Sequence, residues 1–276
     1  MSIVVEKIGK KFCRSLKRSM RYGFCDVTRD LLGLSTHPQH LRQDEFWAFQ
    51  DVSFCVEPGE CLGVIGPNGA GKSTILKLLA GIYPPDQGQI SVRGRLGSLI
   101  EVGAGFHPLL SGRENIFING AILGMRKREI AKKFDEIVAF SGVGGFIDSP
   151  VRHYSSGMFV RLGFAVAAHA SPEVLLVDEA LAVGDLAFFI KCINRIAELR
   201  QQGTAVLFVS HAELQVRLAA SRCLLLNDGR AQEFADVDKA FLAYETILAS
   251  SRSLADCPVE DQSDGAVTIS SLKVTG

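Results

Sequence analysis

The stretch Gly66-Pro-Asn-Gly-Ala-Gly-Lys-Ser-Thr74 constrains this chain more than any other. It fits G-x-x-x-x-G-K-[ST] and lies between the apolar run Cys61–Ile65 and a second apolar run, Ile75–Leu79. Strand, glycine loop, helix is the order in which backbone amides wrap a polyphosphate at a helix N-terminus. Gly66, Gly69 and Gly71 are expected at positive φ, where the missing Cβ lets the backbone approach phosphate oxygens. Asn68, Ala70 and Thr74 complete the loop. Lys72 is placed to hold the β and γ phosphates as a point charge, and the Ser73 hydroxyl is a ligand for Mg²⁺. The plain alternative is a glycine turn before a helix with a surface lysine, and the flanking strand and helix make it rarer.

Charge and cysteine usage narrow the setting. Thirty basic and thirty acidic residues cancel, so the 276-residue chain as a whole carries no electrostatic footprint for nucleic acid. The seven cysteines form no C-x-x-C pair, which argues against zinc or a redox dithiol; most read as small core hydrophobes in a reducing compartment. No signal-peptide pattern opens the chain, and no uncharged apolar run is long enough to span a bilayer.

In chain order, Ser2–Ile8 reads as a first strand. Lys10 to Leu34 reads as a short basic amphipathic helix, with Phe12, Leu16 and Met20 sharing one face and Lys17, Arg18 and Arg21 among its cations. Two expectations stay open there: an apolar edge packed on its own domain, or attraction to anionic lipid headgroups or a phosphorylated ligand. Phe46 to Val56 alternates as a strand, and Phe46 and Trp47 are candidates to stack on an adenine, beside the reading that all its aromatics are core. Gln89 to Ile100 gives two short strands split by Gly94, and helical spacing runs from Arg113 to about Phe140 with a break near Gly124. Pro172 to Glu179 is a buried strand with Asp178 and Glu179 at its C-terminal end, where ligands collect in parallel α/β sheets. Asp178 is placed for the Mg²⁺ shell and Glu179 to polarise a water aimed at the γ-phosphorus. Leu207–His211 is a third such strand, presenting His211 at the same edge as a γ-phosphate contact.

The phosphate loop, Tyr154-Ser-Ser-Gly-Met158, Asp178-Glu179, Asp185 and His211 occur in the order and spacing of an ABC-type ATPase cassette, which residues 1–248 resemble. The resemblance implies an α/β fold: a core parallel sheet, an antiparallel β subdomain and a helical signature subdomain at about 112–170. It also implies ATP and Mg²⁺ as cofactors and a head-to-tail homodimer. Tyr154, Ser155, Ser156, Gly157 and Met158 of one copy then face the γ-phosphate held by the other, with Asp185 in the D-loop. Glu101 stands where most cassettes carry glutamine, and Ser156 and Met158 depart from the usual signature. With Leu99 to Asn115, those departures resemble the bacterial branch that exports lipid-linked polysaccharides such as O antigen, capsule or teichoic acid. That branch implies Glu101 as a metal contact and a separate integral-membrane permease. It implies a peripheral place on the cytoplasmic face of the bacterial inner membrane, and a 10–40 insertion facing the membrane and the pyrophosphate headgroup of the lipid-linked substrate, with Lys17, Arg18 and Arg21 as headgroup contacts and the lipid-linked glycan as an indirect partner. No nucleic-acid partner is expected; a soluble repair or translation ATPase and a small-molecule kinase are the competing classes. Asp236–Ser250 reads as a closing helix. Residues 249–276 read as a linker and one strand, either the start of a truncated glycan-binding domain or a strand that pairs with a dimer mate or frays.

Overall fold

A computed structural model describes residues 1–31, 41–100, 103, 105–178 and 186–255. Two sheets form the frame. Strands β1 (Ile3–Cys13), β2 (Glu45–Val56) and β4 (Gln87–Val92) make an antiparallel sheet in the order β2-β1-β4. Strands β3 (Cys61–Ile65), β5 (Leu96–Leu99), β6 (Val174–Val177), β7 (Ala205–Val209), β8 (Arg222–Asn227) and β9 (Arg230–Phe234) make the second, in the order β5-β6-β7-β3-β8-β9. All its pairings are parallel except β8 with β9. β3, β6 and β7 are buried at every position, as strands covered on both faces must be.

The helices cover these sheets. α2 (Lys72–Leu79) sends Ile75 and Leu76 into a core between the two sheets, against Val5, Phe49, Leu176 and Leu207. α6 (Leu186–Gln201), α7 (Glu213–Ala219) and α8 (Val237–Ala255) cover the opposite face of the large sheet, where Phe164, Phe188 and Ile196 pack. α3 (Gly112–Ile122), α4 (Lys127–Ser141) and α5 (Ser156–His169) form a third core around Ile116, Ile137 and Leu162. α3 starts at a full capping box, Ser111 with Glu114, as an N-cap serine three residues before a glutamate dictates.

Several sequence expectations are corrected. β1 runs on to Cys13, so the helix begins at Leu16 rather than Lys10, and the stretch between β1 and β2 is 14–44 rather than 10–40. Pairing of Lys11 with Trp47 and Phe12 with Phe46 keeps the chain extended where spacing alone suggested a helix. Lys10 and Lys11 leave the basic patch: Lys10 pairs with Asp86 at 3.0 Å and Lys11 with Glu45 at 3.4 Å. On α1 (Leu16–Leu31) the apolar edge does not pack on its own domain, since Leu16, Met20, Phe24 and Val27 are 59–76% exposed. The two strands split by Gly94 join different sheets. The closing helix continues to Ala255, and residues 256–276, with the expected final strand, lie outside the described residues. Of the cysteines, Cys61, Cys192 and Cys223 are buried, Cys13 and Cys55 are half-buried, and Cys25 is exposed.

One ion pair ties the two sheets together. Arg222 on β8 donates to the Glu60 carboxylate, to the Cys55 carbonyl of β2 and to Glu233 of β9. Burial alone would raise the Glu60 carboxyl, but hydrogen bonds from Arg222 and from the Glu57 backbone hold it below its ordinary value. A depressed carboxylate stabilises the fold above its unfolded pKa of 4.5, and that contribution is lost as pH falls through the folded pKa. We expect Arg222→Ala to cost about 2 kcal/mol at pH 7. Thermal unfolding from pH 7 to 3 should then show a shallower acid loss than in the parent.

Candidate functional site

The phosphate loop leaves the end of the fully buried β3 and enters α2. Gly66, Gly69 and Gly71 have φ of 145°, 84° and 99°, as their positions in the motif predict. Two of them also lack room for a side chain. A Cβ at Gly66 would run into the Leu226 carbonyl of β8, and one at Gly71 would lie 2.8 Å from the Phe49 ring of β2. The loop is thus wedged between both sheets. Lys72 is 6% exposed, and its ammonium donates to the carbonyls of Gly66 at 2.8 Å and Pro67 at 3.0 Å, inside the curve of the loop. Gly71 caps α2 without a side-chain hydrogen bond, and the first turn carries no acid, so the helix N-terminus presents its amides and dipole to an anion. Ser73 and Asn68 are exposed and Thr74 is half-buried.

A cavity of about 640 Å³ extends from this loop to an aromatic wall. Pro67, Asn68, Gly69, Ala70, Gly71, Lys72, Ser73 and Thr74 line one end; Phe12, Phe46, Trp47 and Ala48 line the other. Phe46 and Trp47 are therefore where a base could stack. Phe12 joins them, although its spacing had suggested a helix face. Phe12 and Phe46 sit opposite each other across β1 and β2, with ring centroids 6.3 Å apart and planes tilted by 39°. Ser15 carries the signal that separates the two readings, because serine before a periodic run is an N-cap type and leaves Phe12 on the strand.

The parallel register aligns the other polar groups. Val177 lies beside Phe208, Phe208 beside Gly63 and Val209 beside Val64, so β3, β6 and β7 end at one edge. Asp178, half-buried, follows β6 at that edge. His211 follows β7 by two residues. The buried Ser210 turns the chain there, donating to Gln215 Oε1 at 2.8 Å and accepting the Ala212 N–H at 3.0 Å, which leaves the His211 side chain exposed. A hydroxyl at Ser73 and a carboxylate at Asp178 are hard oxygen donors suited to Mg²⁺ shared with phosphates. Glu101, Glu179 and Asp185 lie outside the described residues.

The signature stretch stands on the helical unit and lines no part of the cavity. Ser155 caps α5 by accepting the Met158 N–H at 3.2 Å, so its own hydroxyl hydrogen points away from that bond. Ser155 and Ser156 are exposed, and Gly157 and Met158 half-buried. Tyr154 is turned inward, its hydroxyl donating to the Phe146 carbonyl at 2.8 Å, and burial with nearby Asp148 raises its pKa, so it anchors the turn as a donor. Phe159, one turn further, packs edge-on against Phe106 at 5.1 Å and closes over Gly103.

Comparison with known proteins agrees with this geometry. The model of the ABC transporter family matches residues 49–182. An O-antigen export system ATP-binding protein from Klebsiella pneumoniae is 42% identical over 211 residues, covering 76% of this chain and 86% of that protein. A teichoic acids export ATP-binding protein from Listeria innocua is 39% identical over 211 residues, 63% of its length. Among solved structures, an ATP-binding subunit of an ABC transporter superposes with a TM-score of 0.70 at 18% identity, covering 89% of this chain and all of that one. A dimeric ATP-binding cassette bound to ADP and Pi superposes at 0.65 and 19% identity, covering 84% of this chain and 98% of that one.

Base stacking on one aromatic face is worth about 1–3 kcal/mol. We therefore expect Phe12→Ala to weaken ADP binding roughly tenfold in isothermal titration. An unchanged affinity would remove Phe12 from the base wall.

Proposed function

Because this chain belongs to the ABC transporter family of ATP-hydrolysing subunits, we propose that it works as a homodimer and powers export of a lipid-linked polysaccharide through a separate membrane permease. The observation that carries this reading is the cavity itself. Its aromatic wall fits an adenine, its glycine loop fits a triphosphate, and no signature residue lines it. A γ-phosphate held there lacks the cap that Ser155 and Gly157 are shaped to give, so a second copy supplies them. The N-terminus of α5, with no acid in its first turn, favours the anion.

Within the shared site, Lys72 draws the β and γ phosphates into the loop, and Glu179 orients and polarises the attacking water. His211 contacts the γ-phosphate from the end of β7. Ser73, Asp178 and Glu101 would hold Mg²⁺, which would supply positive charge against the nucleotide's phosphates. Loss of the γ-phosphate removes the charge that joins the two copies, and the dimer opens. The O-antigen and teichoic acid exporters named above supply the substrate class.

The insertion supports a place at the membrane surface. Among the described residues no helix is long and apolar enough to cross a bilayer. α1 turns Leu16, Met20, Phe24 and Val27 to solvent, with exposed Lys17 and Arg21 beside them, as an interfacial helix on anionic headgroups would. Arg18 is committed to Asp44 and contributes less free charge.

Glu179→Gln should bind ATP, lose turnover and elute as a long-lived dimer on size exclusion, whereas Lys72→Ala should lose ATP affinity and remain monomeric. Hydrolysis by the Glu179→Gln protein at the parental rate would overturn the base assignment. Replacing Lys17 and Arg21 with Gln should lower polysaccharide export several-fold while leaving basal ATPase within about twofold. Equal loss of both would mean that α1 serves folding instead.

A further inference from the structure

β1 and β2 are joined by the 14–44 insertion rather than by a tight turn, and the cross-strand pair Phe12 and Phe46 lies at the two strand ends from which the insertion springs. Arg14, the first residue beyond β1, folds its guanidinium over Phe46, with Cζ 5.6 Å from the ring centroid. Its backbone N–H donates to the Asp44 carbonyl at 2.9 Å. Asp44 has a left-handed backbone, φ 67°, and its carboxylate takes Arg18 of α1. A second clasp lies further along the helix, where Arg42 Nη1 donates to Asp26 at 3.1 Å and stacks on Tyr22 at 4.9 Å. The polar side of α1 is therefore fastened to the chain leading into Phe46, and Arg14 sits at the junction of ring and helix.

We propose that Arg14 is a positioning residue for the nucleotide base: it holds the Phe46 ring in the base wall and ties that wall to α1, so that base binding is transmitted to the insertion. Phe46 is 38% exposed, so neighbouring side chains leave much of the ring unrestrained and a cation over its face sets the orientation. Among the described residues, the phosphate loop lies against Phe49 of β2 and Leu226 of β8 and takes its own lysine, whereas the insertion is tied to the strand ends at Phe12 and Phe46. Phosphate binding alone should then leave α1 where it is. A base against Phe12 and Phe46 bears on the strand ends and, through Arg14 and Asp44, on the helix.

This rests on the reading of the cavity as an ATP site, and ligands with and without a base separate the two. The full chain is titrated with ADP and with pyrophosphate. Arg14→Ala should weaken ADP two- to fivefold, the size of an exposed cation–π contact, and leave pyrophosphate unchanged. Arg14→Lys, which keeps a cation, should restore most of the ADP affinity. Equal weakening for both ligands, or no weakening of ADP, overturns the positioning role. A parent that binds neither ligand overturns the ATP-site reading itself and this inference with it.

Transmission is read by a nitroxide on Cys25, which is exposed on α1, with Cys13, Cys55 and Cys257 replaced by Ser. Cys61, Cys192 and Cys223 are buried out of reach of the reagent, and burial also raises their thiols above the ordinary value. ADP should change the label's mobility, pyrophosphate should not, and Arg14→Ala should abolish the ADP response. A label that answers both ligands alike, or neither, overturns the coupling.

Discussion

Lys72 buries its ammonium against the carbonyls of Gly66 and Pro67, and a charge so placed would cost several kcal/mol without such partners. The loop must therefore curve around it, and that curvature is available only because the glycines accept positive φ. Everything else in the site is set relative to this turn. β3 delivers it from the middle of the large sheet, β8 supplies the carbonyl that Gly66 lies against, and β2 supplies the Phe49 ring beneath Gly71. A polyphosphate entering the loop meets a cation and amides already in place, so little reorganisation opposes binding.

Division of labour follows from where each group is mounted. The loop, Asp178 and His211 share one edge of one sheet, at the ends of its buried strands. The signature turn belongs to the helical unit, with its own core around Ile116, Ile137 and Leu162, anchored by Tyr154 and faced by Phe159 on Gly103. The two cores meet on α5, whose Leu162 packs in the helical unit while its Phe164 packs against Phe188 in the core of the large sheet. The aromatic wall of the cavity is mounted on a third element, the antiparallel sheet, and the insertion grows from it. The cavity itself is lined from two of these mounts, the phosphate loop and the antiparallel sheet.

The chain's own residues decided several points locally. G-x-x-x-x-G-K-[ST] between a buried strand and a helix dictates loop, φ signs and lysine placement, because backbone sterics and hydrogen bonding act over a few residues. The four apolar residues before Asp178 and the run before His211 likewise dictate buried parallel strands with polar ends. The family itself is legible in the order of these motifs, and the fold class follows from it.

Tertiary pairing decided the rest. Phe12, Leu16 and Met20 recur at a helical period, yet hydrogen bonding to β2 keeps Phe12 on a strand and brings it opposite Phe46 across the whole insertion. Amphipathic spacing marks α1 as two-faced but not which face turns outward; that was set by Arg18 with Asp44 and Asp26 with Arg42, contacts between segments distant in sequence. A one-dimensional pattern records what each residue prefers nearby, whereas the partner that satisfies a charge or an aromatic ring across the fold exists only once the chain has closed.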